Sequence, residues 1–297
     1  MQAALLPERG VVKVAGETAR AFLNGIVSND IGKAPGEAAF AALLTPQGKI
    51  VVDFIAIEAA AEDGGGIFLD CPRVLAGTLK EKLTFYKLRA KVTIDDRSEA
   101  LLVMAVWGAA GKIAETEYGL SYADPRLPEL GTRVLVPPEA ALEAAAELGA
   151  TLVDADVYDA HRIALGVPRG GQDFMYLDTF PHEADMDQLA GVDFNKGCYI
   201  GQEVVSRVEH RAMARNRVVP VTYDGGAPAG GVDITAADKP IGTMGSAANG
   251  YGLALLRLDR VADAIAAGAP LIAGGVELRI VKPEWAEFAW PGEKAAT

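Results

Sequence analysis

The run Lys196-Gly197-Cys198-Tyr199-Ile200-Gly201-Gln202-Glu203 is where this sequence is most ready for chemistry. Two glycines bracket a thiol, a lysine stands two residues before it, and helical spacing begins at about Gln202. A nearby ammonium and the positive end of a helix both favour thiolate, the form that attacks electrophiles and ligates metals. From the residues alone, Cys198 is either a reactive thiol or a small thiol packed where the loop turns. Cys71 lies between Asp70 and Pro72, with an acid beside it and no cation, and reads as structural. Two thiols supply neither the four ligands of a structural zinc nor those of a self-contained iron–sulfur cluster.

Other chemistries are poorly served. Gly48-Lys49 and Gly111-Lys112 lack the upstream glycine and the hydroxyl of a phosphate-binding P-loop. Gly64-Gly65-Gly66 falls in a hairpin turn and opens no helix, so it is no dinucleotide fingerprint. His182-Glu183 begins like a zincin helix, but no histidine follows at the required spacing. The acids Asp178, Glu183, Asp185 and Asp187 lack the glycine and terminal glutamate of a calcium loop and read as a solvated acidic segment, with a divalent-cation site as the alternative. His161, His182 and His210 share no ligand spacing, and no metal site is predicted.

The elements that must position Cys198 follow from apolar spacing. Residues 9–16 read as a strand and 17–27 as a helix. Two apolar runs from Ala38 to Ile57 flank Thr45-Pro46-Gln47-Gly48-Lys49, a hairpin turn that places Asp53 inside the second strand. Further strands are expected at 66–70, 90–95 and 101–107, with helices at 72–87, 139–148, 154–165 and 201–214. Residues 166–196 read as irregular. From about Val218 short apolar runs alternate with Gly, Pro and Asp turns, the texture of a small antiparallel barrel. A domain boundary is placed near Arg215.

The run at 196–203, followed by Val204-Val205-Ser206-Arg207, resembles the signature of the YgfZ-type folate-binding proteins, relatives of the glycine-cleavage aminomethyltransferase (T-protein). Phe22-Leu23-Asn24-Gly25 with Asn29-Asp30, Leu44 to Lys49, Lys87 to Val92, Arg162 with Gly166 and Pro168, and Ile241 to Ser246 occur in that family's order. The resemblance implies an α+β fold of three domains in a ring. Residues 1–214 then form a folate-binding region of two related, interleaved α+β domains, with an internal boundary near 96–150, and 215–297 a C-terminal β-barrel. It further implies tetrahydrofolate or a one-carbon derivative as ligand, and an accessory role in assembling or repairing iron–sulfur clusters of client enzymes, tRNA-modifying ones included.

Residue roles carry over one at a time. Asp53 falls where the aminomethyltransferases have their catalytic aspartate, but Gly48-Lys49-Ile50-Val51-Val52-Asp53 lacks one glycine and one acid of that pattern. It is a folate-site acid or an outward-facing strand acid. Asp173 lies near the pterin-holding carboxylate, and Glu183 competes for that role. A carboxylate suits the amidine edge of a pterin, which donates two parallel hydrogen bonds. Lys196 pairs with the glutamyl tail of folate or is a solvated lysine. The rival function is a folate-dependent aminomethyltransferase using Asp53.

With 28 Lys plus Arg against 40 Asp plus Glu, the net charge is −12, which disfavours sequence-independent binding to duplex DNA. Arg207, Arg211, Arg215 and Arg217 remain as one cationic strip. Half the residues are apolar, as in a folded globular protein. The longest apolar stretch, about 12 residues, is short of the ~20 that span a bilayer. With no apolar leader and two reduced thiols, a cytoplasmic protein free of membrane is expected, and the resemblance implies reduced folate and iron–sulfur client or assembly proteins as its partners.

Overall fold

The computed structural model describes residues 1–32, 36–61, 64–108, 115–210 and 214–292. In chain order the elements begin β1 Gln2–Leu5, β2 Arg9–Ala15, α1 Ala19–Asn24, β3 Ala39–Leu44, β4 Ile50–Glu58, β5 Ile67–Pro72, α2 Ala76–Lys87 and β6 Thr93–Asp96. They continue with β7 Leu102–Trp107, β8 Leu120–Ala123, β9 Thr132–Val136, α3 Ala141–Glu147, β10 Thr151–Leu152, α4 Ala155–Ala164 and α5 Gln202–His210. The last are β11 Asn216–Tyr223, β12 Asp233–Ala236, β13 Lys239–Ala248, β14 Tyr251–Arg257, α6 Leu258–Ala266, β15 Leu271–Ala273 and β16 Val276–Ile280. Contacts divide the chain into two units, residues 1–158 with 189–202, and residues 159–188 with 203–297.

The first unit holds two five-stranded sheets, ordered β3-β4-β5-β2-β6 and β10-β1-β7-β9-β8. Strand β4, IVVDFIAIE, is buried from Ile50 to Ile57, because its sheet is covered on both faces. Val52, Phe54 and Ala56 join Leu23 of α1 and Leu79 and Leu83 of α2 in one core. The opposite face carries Asp53 and, from β5, Asp70, the cross-strand partner of Ile55. There Asp70 meets Tyr122 and Arg133 of the second sheet, so the two sheets are joined through a charged seam.

Several element ends differ from expectation for local reasons. The helix expected over 17–27 spans only Ala19–Asn24. Asn24 turns its amide onto the following loop, accepting from the Ile31 N–H at 2.7 Å, and Val27 leaves to bridge Leu43 at the sheet. Around the prolines Pro125, Pro128, Pro137 and Pro138, a turn-rich stretch of sequence, the chain also forms β8 and β9, and the N-terminal residues form β1.

The second unit contains a closed six-stranded barrel, ordered β11-β14-β13-β12-β15-β16. The antiparallel barrel agrees with the texture of the sequence beyond Val218. Helix α6 and strand β12 were not anticipated. Val261 and Ala264 of α6 sit in the barrel core, three residues apart on one helical face. Mixed sheets with helices followed by a closed barrel make this an α+β fold.

Candidate functional site

The cysteine motif is a loop stitched onto the first unit at three points. Ser28 Oγ donates to Gly191 O at 2.7 Å and accepts from Ala42 N at 2.8 Å. Asn29 Nδ2 donates to Phe40 O at 2.8 Å and to Ala190 O at 2.7 Å. Next, the Lys196 ammonium donates to the carbonyls of Val27 at 2.8 Å and Asn29 at 2.7 Å. Finally Gly201, at φ +81°, sits on the 45–48 turn so closely that a Cβ there would lie 2.6 Å from Thr45 O and 3.0 Å from Gly48 Cα. The pieces of sequence around 22–30, 44–49 and 196–203 are therefore one assembly.

Between these anchors the side chains sort by chemistry. Tyr199 is buried and Ile200 packs against the core of the first sheet. Burial, with the Asp193 carboxylate, pushes the Tyr199 hydroxyl up to about 12. Cys198 is exposed, at the outer side of the loop, and a Cβ on neighbouring Gly197 would meet nothing within 4 Å. The thiol is thus open to another molecule and is not packed where the loop turns. Cys71 is the opposite case. Its thiol is fully buried, and burial pushes it up to about 12, against the pull of the Arg9 guanidinium.

The residues expected to hold folate are placed as follows. Asp53 is only 7% exposed, on the inner face of its sheet with Asp70. Asp173 is enclosed: Oδ2 accepts from Arg162 Nη1 at 2.7 Å and from Arg169 N at 2.8 Å, and Oδ1 accepts from Ser246 N at 2.7 Å. Glu183 is half-buried and caps its own turn, with Oε2 accepting from Phe180 N at 2.9 Å and Oε1 from Asn216 Nδ2 at 3.0 Å. Lys196 is neither a solvated lysine nor one turned to an incoming carboxylate, since backbone carbonyls hold it. Asp173, Glu183 and Lys196 are thus each engaged by the fold itself.

Two further expectations need correction. The acids at 178–187 are not a solvated segment: Asp185 is fully buried and accepts from Arg217 Nη1 at 3.0 Å, and Asp187 takes both Arg217 nitrogens at 2.9 and 2.7 Å. Among the described residues, two of the expected arginine strip are already paired. Arg217 is buried and neutralised, Arg207 pairs with Glu203 at 2.7 Å, and Arg211 lies outside the described residues.

Sequence reasoning also missed the charged seam of the first unit. Arg9 Nε donates to Asp70 Oδ1 at 2.6 Å, while Arg133 bridges Asp70 and Asp124, each at 2.9 Å, and Arg126 grips Asp124 with two nitrogens. Burial raises the Asp124 carboxyl, but Arg126 and Arg133 outweigh it and hold the group well below the usual carboxylate range.

Comparison with known proteins adds a family. Residues 215–288 match the model of the CAF17 C-terminal β-barrel domain. The chain is 31% identical over 282 residues to the mouse protein named iron-sulfur cluster assembly factor IBA57, mitochondrial, covering 86% of this chain and 77% of that one. The human protein of that name is 30% identical with the same coverage. The homologue from Mycosarcoma maydis is 34% identical over 230 residues, and the match spans 57% of its length. Among solved structures, aminomethyltransferase T of the glycine cleavage system from Bartonella henselae shares the fold, with a TM-score of 0.75 at 15% identity over 97% of this chain and 87% of that one. The named relatives are mitochondrial proteins, which overturns the expectation of a cytoplasmic location. Reduced thiols could not separate the two, since neither compartment is the oxidising kind in which structural disulfides accumulate. Among the described residues no helix is long and apolar enough to cross a membrane.

Proposed function

The chain belongs to the family of the iron–sulfur cluster assembly factor IBA57, and from that premise we propose that Cys198 is the thiol through which it meets clusters being assembled or repaired in client enzymes. The observation that carries the proposal is the contrast between its two cysteines. Cys198 is exposed on a loop pinned by Lys196 and Gly201, and Cys71 is sealed in the core with its proton held to about 12.

The cluster is cargo here. Clusters of the common types take four protein ligands, mostly thiolates. This chain presents one accessible thiol, so the others come from the partner that delivers or receives the cluster. Lys196 and Gly201 hold the loop against the protein, and the open side at Gly197 leaves room for that partner to approach. Client enzymes that modify tRNA belong to this reading.

A reduced folate, tetrahydrofolate or a one-carbon derivative, is the proposed small ligand, supported by the sequence resemblance and the aminomethyltransferase-type fold. Asp53 is its proposed contact, and no step of cluster handling runs through it. Nothing in the geometry favours the rival aminomethyltransferase over this reading.

The test is complementation of a deletion strain, read as the activity of its iron–sulfur enzymes. Cys198→Ser is expected to fold normally and fail, and Cys71→Ala to restore activity. Full rescue by Cys198→Ser would sink the proposal. Calorimetry with tetrahydrofolate tests the ligand separately, with weaker binding expected for Asp53→Asn; a wild-type protein that takes up no folate removes that part alone.

A further inference from the structure

We propose that His182, Asp187 and Glu209 form a binding site for a first-row divalent metal ion, independent of Cys198. A ring nitrogen of His182 and one carboxylate oxygen each from Asp187 and Glu209 all lie within 4.8 Å of one another. His182 Nε2 and Glu209 Oε2 are 3.0 Å apart. Metal–ligand bonds of about 2.0–2.2 Å set ligand atoms roughly 3–3.5 Å apart, so the pair is already at that spacing. Glu209 lies 27 residues beyond His182, which is why the lack of ligand spacing among the histidines did not reveal the set.

The surroundings of the three are those of a ligand set. His182 is only 2% exposed, while the Glu209 side chain is 45% exposed and free to adjust from helix α5. Asp187 is fixed from behind: Arg217 binds both of its oxygens and is itself held by His182 O at 2.8 Å, by Asp185, and against the Phe288 ring at 4.3 Å. Each carboxylate oxygen has two lone pairs; Asp187 Oδ2 accepts from Gln188 Nε2 at 2.9 Å as well as from Arg217, so Oδ1 is the oxygen that keeps one for an ion, and hydrogen-bonded ligating carboxylates are the rule at metal sites.

All three residues line one cavity of about 580 Å³ in the second unit. Asp187, Glu209, Asp259 and Glu287 line it against Arg215 and Arg217. A mixed nitrogen and oxygen set selects zinc, iron(II), cobalt(II) or manganese(II) over magnesium and calcium, which prefer oxygen alone. Three protein ligands beside a cavity leave a coordination position for water or an exchanging ligand.

The experiment uses the full chain carrying Cys198→Ser, so that the accessible thiol contributes nothing, and the probes are Co²⁺ and Zn²⁺ alone. Expected are one equivalent of metal, visible cobalt absorption without a sulfur-to-metal band, and a raised melting temperature with Zn²⁺. Glu209→Gln keeps the shape of a largely solvent-facing side chain and should weaken binding by roughly tenfold or more; His182→Gln should do the same. Affinity unchanged by Glu209→Gln, or no cobalt spectrum and no Zn²⁺-induced shift in the starting chain, overturns the assignment.

Discussion

Exchanging the two glycines of the cysteine loop for alanine, one at a time, should give opposite results. At Gly201 the backbone is left-handed, at φ +81°, and a Cβ would press on Thr45 O at 2.6 Å and Gly48 Cα at 3.0 Å. A non-glycine residue in that conformation costs about 1–2 kcal/mol. Both neighbours are backbone atoms that cannot rotate aside, so the loop must lift from the turn, adding about 1–3 kcal/mol by analogy with overpacked cores. Gly197 has neither problem, since its φ is not in the left-handed range and nothing lies within 4 Å of the added carbon. There the methyl group only restricts the unfolded chain and should stabilise by about 0.4–1 kcal/mol. Urea denaturation of both variants, at equal slopes, should therefore separate them by roughly 2.5–6 kcal/mol, a large part of a typical domain's stability. Hydrogen exchange should localise the Gly201→Ala loss to residues 45–48 and 196–202. Variants that agree within about 0.5 kcal/mol would refute the claim that docking on the 45–48 turn is what requires glycine.

Lys196→Met keeps the apolar stem but removes two charge-assisted bonds to Val27 and Asn29. Stability should fall by about 1–3 kcal/mol, with exchange of the 196–201 amides accelerated. Asp173→Asn leaves Arg162 facing a neutral partner in the interior. The loss should be about 3–5 kcal/mol in denaturation, and calorimetry on the folded fraction should show folate affinity unchanged. The Cys71 thiol is raised on folding from about 9 to about 12, so its contribution is complete below pH 9 and is lost as pH rises toward 12. Between pH 9 and 10.5 wild-type stability should drop by roughly 1.5–2 kcal/mol more than that of Cys71→Ala in denaturant titrations. Asp124 acts in the other direction: its folded carboxyl is depressed, so its contribution is present above about pH 4 and is lost on further acidification, a loss Asp124→Asn should not show.

What the sequence made legible was local. The 45–49 turn, the buried strand around Asp53, the barrel texture beyond Val218 and the loop around Cys198 each rest on neighbours within a few residues, where Gly, Pro and apolar spacing speak directly. What stayed hidden depended on partners far along the chain. Lys196 looked like a group waiting for an anion, yet its partners are two carbonyls 169 and 167 residues away. Arg133 is a buried arginine inside Thr132-Arg133-Val134-Leu135-Val136, stable there because Asp70 and Asp124 arrive from elsewhere. A charged residue inside an apolar run is rarely buried unless paired, so that run was itself a pointer to a hidden carboxylate. His182 and Glu209 were missed for the same reason, 27 positions apart in sequence and 3.0 Å apart in the fold. The acids at 178–187 show the limit most clearly: composition marked them as a solvent-facing cluster, and only the position of Arg217 turns two of them inward. A buried charge pair broken from one side costs about 3–5 kcal/mol, so such partners are as binding on the fold as any apolar core position. Their signature is split between two distant segments, and reading one segment at a time cannot recover it.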